Sequence, residues 1–198
     1  MKNVILIIST IIYLSAQVNA DDLKSQILTM KKRSELRDQF LKDRMKTVLP
    51  EIMDRTEVDM WIIIAREYNE DPVLRTMLPA TWLNARRRTI LVIYNPGRNM
   101  PLETFAIARY DVGKIFKKAW DPEDNPDQYG ALAELINAKN PTKIALNQSK
   151  HFAQADGLTA TELQLFKKSL SRKMIKRIVS AEELSIGWLE TRSELEMD

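Results

Sequence analysis

Met60-Trp61-Ile62-Ile63-Ile64-Ala65 is an unbroken apolar run rich in β-branched side chains. A strand with one wet face alternates apolar and polar residues, whereas a run that is apolar throughout needs cover on both faces. The reading is a strand in the interior of a sheet, with other layers packed above and below it. Thr89-Ile90-Leu91-Val92-Ile93-Tyr94 repeats the pattern and is closed by the turn residues Asn95-Pro96-Gly97.

Upstream, residues 23–54 are polar with an apolar stripe at three- and four-residue spacing: Leu36, Phe40, Leu41, Met45, Val48, Ile52 and Met53. That spacing predicts a long amphipathic helix. Pro50 removes a donor and crowds the carbonyl one turn back, which predicts a kink or restart there. Downstream, Thr104 to Tyr110 and Lys114 to Trp120 are expected to continue a meander around a tight turn at Asp111 to Gly113. Asp121 to Gln128, with two prolines and four acids, reads as loop.

The pattern then alternates. A helix is expected around Leu132, Leu135 and Ile136, a strand from Lys143 to Asn147, and a helix over 159–170 opened by the capping box Thr159-x-x-Glu162. Met174 to Val179 reads as a last strand, and Ser180-Ala181-Glu182-Glu183 as the start of a helix running through Trp188. A meander followed by such alternation predicts an α/β fold, a mixed β-sheet flanked by helices.

Lys2, the apolar run Val4 to Ala16 and the small residues of Val18-Asn19-Ala20 read as a secretory signal peptide over residues 1–20, cleaved before Asp21. The protein is thus expected to be exported, periplasmic or extracellular. Ser9 and Thr10 interrupt a run already shorter than the ~18 residues of a spanning helix, so no stable membrane anchor is expected. The chain has no cysteine, so it must rely on its core rather than on disulfides. Its formal net charge of +3 shrinks once Lys2 is removed, and a nearly balanced exported chain suggests no nucleic-acid partner. At the far end, Thr191-x-x-Glu194 reads as a capping box with too few residues after it for a stable helix, the first turn of an element that continues elsewhere.

His151 is the sole imidazole, and with no cysteine the familiar zinc ligand sets are unavailable. Ser149 two residues away is no sign of a triad, because triads are made by three-dimensional geometry. The acidic stretch Asp121 to Asp127 lacks the sixth-position glycine and twelfth-position glutamate of a calcium loop and reads as a solvated turn. Arg86-Arg87-Arg88 and the basic residues Arg172, Lys173, Lys176 and Arg177 read as solvated strand edges that discourage pairing with other chains. Asn147-Gln148-Ser149 matches a glycosylation acceptor. Trp82 sits in the proposed loop Leu78 to Leu83, where a tryptophan packs on the core or serves as ligand wall or interface anchor.

Several segments together resemble the N-terminal domain of the creatinase, prolidase and Xaa-Pro aminopeptidase family of metallopeptidases. They are Val58-Asp59-Met60-Trp61-Ile62-Ile63, Ala108-Arg109-Tyr110-Asp111-Val112-Gly113, His151 to Thr159, and Ser180-Ala181-Glu182-Glu183-Leu184 through Gly187-Trp188-Leu189-Glu190-Thr191-Arg192. The resemblance spans the chain beyond the leader. It implies an RNase H-like creatinase N-terminal domain over residues 21–180, with 181–198 an interdomain helix and the start of a missing catalytic domain. That second domain, in the family, holds two divalent metals (manganese, zinc or cobalt) that activate a water against the bond before proline. No ligand of those metals maps onto this chain, which by itself is expected to be inert. The implied partners are its own catalytic domain, further copies in a homo-oligomer, and short Xaa-Pro peptides at the parent active site. Trp82 and His151 are the candidate residues for a substrate-restricting wall.

A stand-alone periplasmic binding or interaction protein derived from such a domain is the alternative, which a natural stop codon after Asp198 would favour. An RNase H-like nuclease needs clustered carboxylates on central strands, and the first strand offers only Asp59 at its edge.

Overall fold

A computed structural model describes residues 27–197; the proposed signal peptide at 1–20 lies outside them. The chain divides into two compact units, Met1–Leu36 and Arg37–Asp198. In the described part of the first, the opening turns of helix α1 (Met30–Thr56) carry exposed side chains, and Arg33 donates to the Leu28 carbonyl at 2.8 Å.

In the second unit, α1 buries Leu41, Met45, Val48, Leu49, Ile52 and Met53 as one stripe. The helix is not ended or restarted at Pro50. Apolar burial on both sides of the proline holds the helical turns together despite the lost donor.

Six strands form one sheet in the order β4-β3-β2-β1-β5-β6. They are β1 (Met60–Arg66), β2 (Arg88–Tyr94), β3 (Glu103–Ile107), β4 (Lys117–Lys118), β5 (Ile144–Leu146) and β6 (Ile178–Ser180). β2 runs antiparallel to β1 and β3, whereas β5 lies parallel to β1, β6 to β5 and β4 to β3. A meander extended by parallel strands on the other side of β1 makes this a mixed sheet.

The continuous apolar run of β1 is explained by two cores. Trp61, Ile63 and Ala65 face α1, α2 (Pro72–Met77) and α6 (Glu182–Glu190), with Trp188 among their neighbours. Met60, Ile62 and Ile64 face α3 (Gln128–Lys139) and α4 (Ala160–Ser169), packing with Leu132, Ile136 and Phe166. Each large side chain buried this completely is worth about 1.5–3 kcal/mol. Gly187 lets α6 lie close on α1, since a Cβ there would meet Ile52 Cγ2 at 3.1 Å.

Local chemistry reshapes several expected elements. Only Lys117 and Lys118 of the stretch Lys114 to Trp120 pair as a strand, parallel to β3 rather than continuing the meander. Fully buried Phe116 is drawn into a turn bridged to Val112, which uses up the preceding residues. Ser171 accepts from the Met174 N–H and starts a short helix, α5 (Arg172–Ile175), so the last strand is shifted to Ile178–Ser180. α2 adds a helix between β1 and β2. Asp71 caps it, accepting from the Val73 and Leu74 N–H groups, and Pro72 is its first residue. Thr191 closes α6 instead of opening a helix; the next turn, Glu194–Glu196, starts at Ser193, whose N–H donates to Glu196 Oε2 at 2.9 Å.

Candidate functional site

At the carboxyl end of β5, Asn147 is almost fully buried and holds four elements together. Its amide donates to both oxygens of Asp71, at 3.0 and 2.9 Å, while its carbonyl accepts from Trp61 Nε1 at 2.7 Å and Ser185 Oγ at 3.4 Å. Burial raises the Asp71 pKa, and the bonds from Asn147, Leu74 and Val73 work in the opposite direction. Asn147 therefore cannot serve as the glycosylation acceptor that its tripeptide suggests, because both polar atoms of the amide are enclosed and bonded.

Beyond Asn147 the chain borders a cavity of about 680 Å³ lined by Gln148, Ser149, His151, Asp156, Glu182 and other residues. His151 is exposed on its rim. Ser149 is fully engaged: its hydroxyl donates to the Glu182 carboxylate and accepts from the His151 and Phe152 N–H groups at 3.1 and 2.8 Å. Among the described residues the His151 ring makes no hydrogen bond, so no nucleophile and base are paired here.

A second cavity, of about 1050 Å³, opens where β1 ends, β2 begins and the chain leaves β3. Arg66, Arg86, Arg87, Arg88 and Arg109 line it, together with one acid, Glu67, and with Tyr68, Tyr110, Trp120 and Gln128. Arg88 is not the solvated edge residue expected. It is half-buried, donates to Glu162 Oε2 at 2.6 Å and lies 4.9 Å from the centre of the Tyr129 ring. Glu162, 1% exposed, also accepts from the Tyr129 hydroxyl at 2.6 Å. The Tyr129 pKa is raised, first by burial and then by the hydrogen bond and charge of Glu162. Thr159 still caps α4 through the Glu162 N–H, but the Glu162 carboxylate is turned to Arg88 instead of back to the cap. Arg177 is likewise tied down, to Asn140 Oδ1 at 2.8 Å and to the Pro141 carbonyl.

Trp82 is half-buried against the core, with the Arg86 guanidinium 4.0 Å above its ring. The structure does not bring Trp82 and His151 together: His151 lines the first cavity, and Trp82 lines neither. Several other acids are engaged with the backbone or with lysines. Asp59 accepts from the Thr142 and Lys143 N–H groups at 2.6 and 2.7 Å, and Asp127 caps α3. In the acidic loop Asp121 accepts from Lys118 and from the Glu123 N–H. Among the described residues no group of three or more His, Asp or Glu side chains is placed to hold a metal ion. Among the described residues no set of side chains fits the two-metal site that the resemblance implies.

No protein-family model and no curated protein matches this chain. Among solved structures the fold is similar to that of a Xaa-Pro dipeptidase from Bacillus anthracis, with a TM-score of 0.51 and 12% sequence identity. The match covers 79% of this chain and 38% of that one. The architecture, a six-stranded mixed sheet flanked by helices, is consistent with a creatinase/prolidase-like domain.

Sequence reasoning missed the Asp71–Asn147 pair and the arginine-lined cavity. Asp71-Pro72 is a readable signal for the first, an N-cap with proline at the first helical position. The second is assembled from three strand ends and has no linear signature.

Proposed function

We propose that this chain is the non-catalytic, substrate-restricting and oligomerising domain of an exported metallopeptidase that hydrolyses Xaa-Pro peptide bonds. The observation that carries the reading is the similarity of this fold, a mixed sheet with a single antiparallel strand at β2, to that of a Xaa-Pro dipeptidase of which this chain spans 38%. The commitment of Asp59, Asp71, Asp127 and Glu162 to backbone N–H groups, helix caps, a buried amide and an ion pair also supports it, since these carboxylates serve the fold. In this reading the divalent metals belong to a separate catalytic domain further along the chain, and the exposed rim at His151 and the Trp82 turn are the candidate walls toward it.

The test is turnover of an Xaa-Pro peptide with Mn²⁺ present. The 198-residue chain is expected to release no residue, whereas a version extended along its reading frame does. Hydrolysis by the chain alone overturns the reading.

A further inference from the structure

The arginine-lined cavity carries two guanidinium groups with no carboxylate partner among the described residues, one of them stacked on a tryptophan, and from this we infer that it binds a dianionic phosphate group. Arg88 is bonded to Glu162, Arg66 lies 3.9 Å from the same carboxylate, and Arg109 is 3.7 Å from Glu123. Arg86 and Arg87 pair with no carboxylate among the described residues.

These two side chains are attached to a rigid lip. The Arg86 guanidinium is stacked 4.0 Å from the Trp82 ring centre and 5.8 Å from that of Tyr110. Stacking leaves the in-plane N–H edge of the fork free to donate. The Arg87 backbone is clamped to Glu67: its N–H donates to Glu67 Oε2 at 3.1 Å, and its carbonyl accepts from the Glu67 N–H at 2.6 Å. Arg87 and Tyr68 both adopt left-handed backbone conformations, with φ of 56° and 67°. Non-glycine residues are held in that region only where surrounding structure over-determines them, and such strain gathers at binding sites. Glu67 and Glu70 accept from backbone N–H groups and form no ion pair with either fork among the described residues, though both keep their charge. A guanidinium offers parallel donors matched to phosphate or carboxylate oxygens; two unpaired forks lining one cavity match a group with two charges better than a single carboxylate.

The test is an NMR titration of the folded chain with inorganic phosphate, phenyl phosphate and hexaglutamate at low salt. Both phosphates are expected to shift the Trp82 indole and arginine Nε–Hε signals. Arg86→Gln/Arg87→Gln should weaken binding about tenfold, and the charge-matched control Lys42→Gln/Lys46→Gln should leave it unchanged. Tighter binding of phenyl phosphate assigns an ester and equal binding a free anion; either upholds the proposal. Hexaglutamate binding as tightly as phosphate overturns it in favour of an acidic peptide, and equal losses in the two double variants reduce it to bulk charge. Should the arginine variant not fold, unmoved Trp82 and arginine signals in the unaltered chain overturn the proposal by themselves.

Discussion

The amide nitrogen of Asn147 bridges both carboxylate oxygens of Asp71, 76 positions apart in sequence, and neither residue is more than 1% exposed. The pair joins the cap of α2 to the end of β5, and through Trp61 and Ser185 it reaches β1 and α6. A buried network of this kind stabilises only while every member is satisfied, because an unpaired polar group there loses its hydration without replacement.

Swapping the two residues tests that dependence. Asp71→Asn keeps one oxygen for the Val73 and Leu74 N–H groups but sets an amide nitrogen against that of Asn147. A loss of about 1–3 kcal/mol is expected in urea denaturation. Asp71→Asn combined with Asn147→Asp restores donor to acceptor and should recover much of the loss. Simple additivity of the two changes would show that the residues do not act as a pair.

The same carboxyl makes stability depend on pH. Its pKa is raised on folding above the ordinary 3.8, with burial the leading cause. The native state therefore holds the proton longer than the unfolded chain, and stability falls as pH rises through the window that begins at the unfolded value. Asp71→Ser retains a capping acceptor and removes the ionisation. The urea midpoint of the unaltered chain, relative to this variant, should decline as pH rises above the unfolded value of about 4. A difference independent of pH would remove Asp71 from the account.

Gly157→Ala probes how closely the loop before α4 approaches this pair. A Cβ there would overlap Asp71 Oδ2 and lie 2.9 Å from the Asp71 Cα, and backbone cannot swing aside as a flexible side chain can. Destabilisation of about 1–3 kcal/mol or more is expected, read as a lowered Tm. An unchanged Tm would show that the loop relaxes freely.

Arg44 holds the end of α6 and the turn at Glu194–Glu196. Its guanidinium donates to the carbonyls of Trp188 and Thr191, stacks 4.0 Å from the Trp188 ring centre and lies 3.4 Å from Glu196 Oε2. Desolvation lowers its pKa, the Glu196 charge opposing that effect. Because removing one partner of a desolvated pair leaves the Glu196 charge and two carbonyls unmatched, Arg44→Met should lower the urea midpoint. It should speed tryptic cleavage after exposed Arg192. Equal cleavage rates would show that the segment is held by other contacts.

The doubly covered strands were legible because burial on two faces leaves a direct mark in composition: Met60 to Ala65 and Thr89 to Tyr94 carry no charge at any position. The stripe on α1 was legible for the same reason. Strand pairing was harder to read. Lys117 and Lys118 form a strand only because β3 lies beside them, and nothing local distinguishes a parallel from an antiparallel partner. Polar residues were hardest: Asn147 matches a surface tripeptide yet is buried, and Arg88 sits in a basic triplet yet finds Glu162 across the fold. A polar side chain's role is set by a partner distant in sequence, which composition and spacing do not reveal. Trp82 and His151 drew attention by residue type, and only their surroundings separate a stacked support for Arg86 from an exposed ring on a cavity rim.

Synthesis delivers this sheet in two instalments. β1, β2 and β3 are neighbours along the chain and can zip together early, whereas β5 must return from far downstream to register Ile144 against Met60. Until it arrives, a nascent molecule presents the uncovered flank of its most apolar strand to any passing chain. Asn147 can reach Asp71 only when β5 has docked, so their bonds are among the contacts that this late arrival completes.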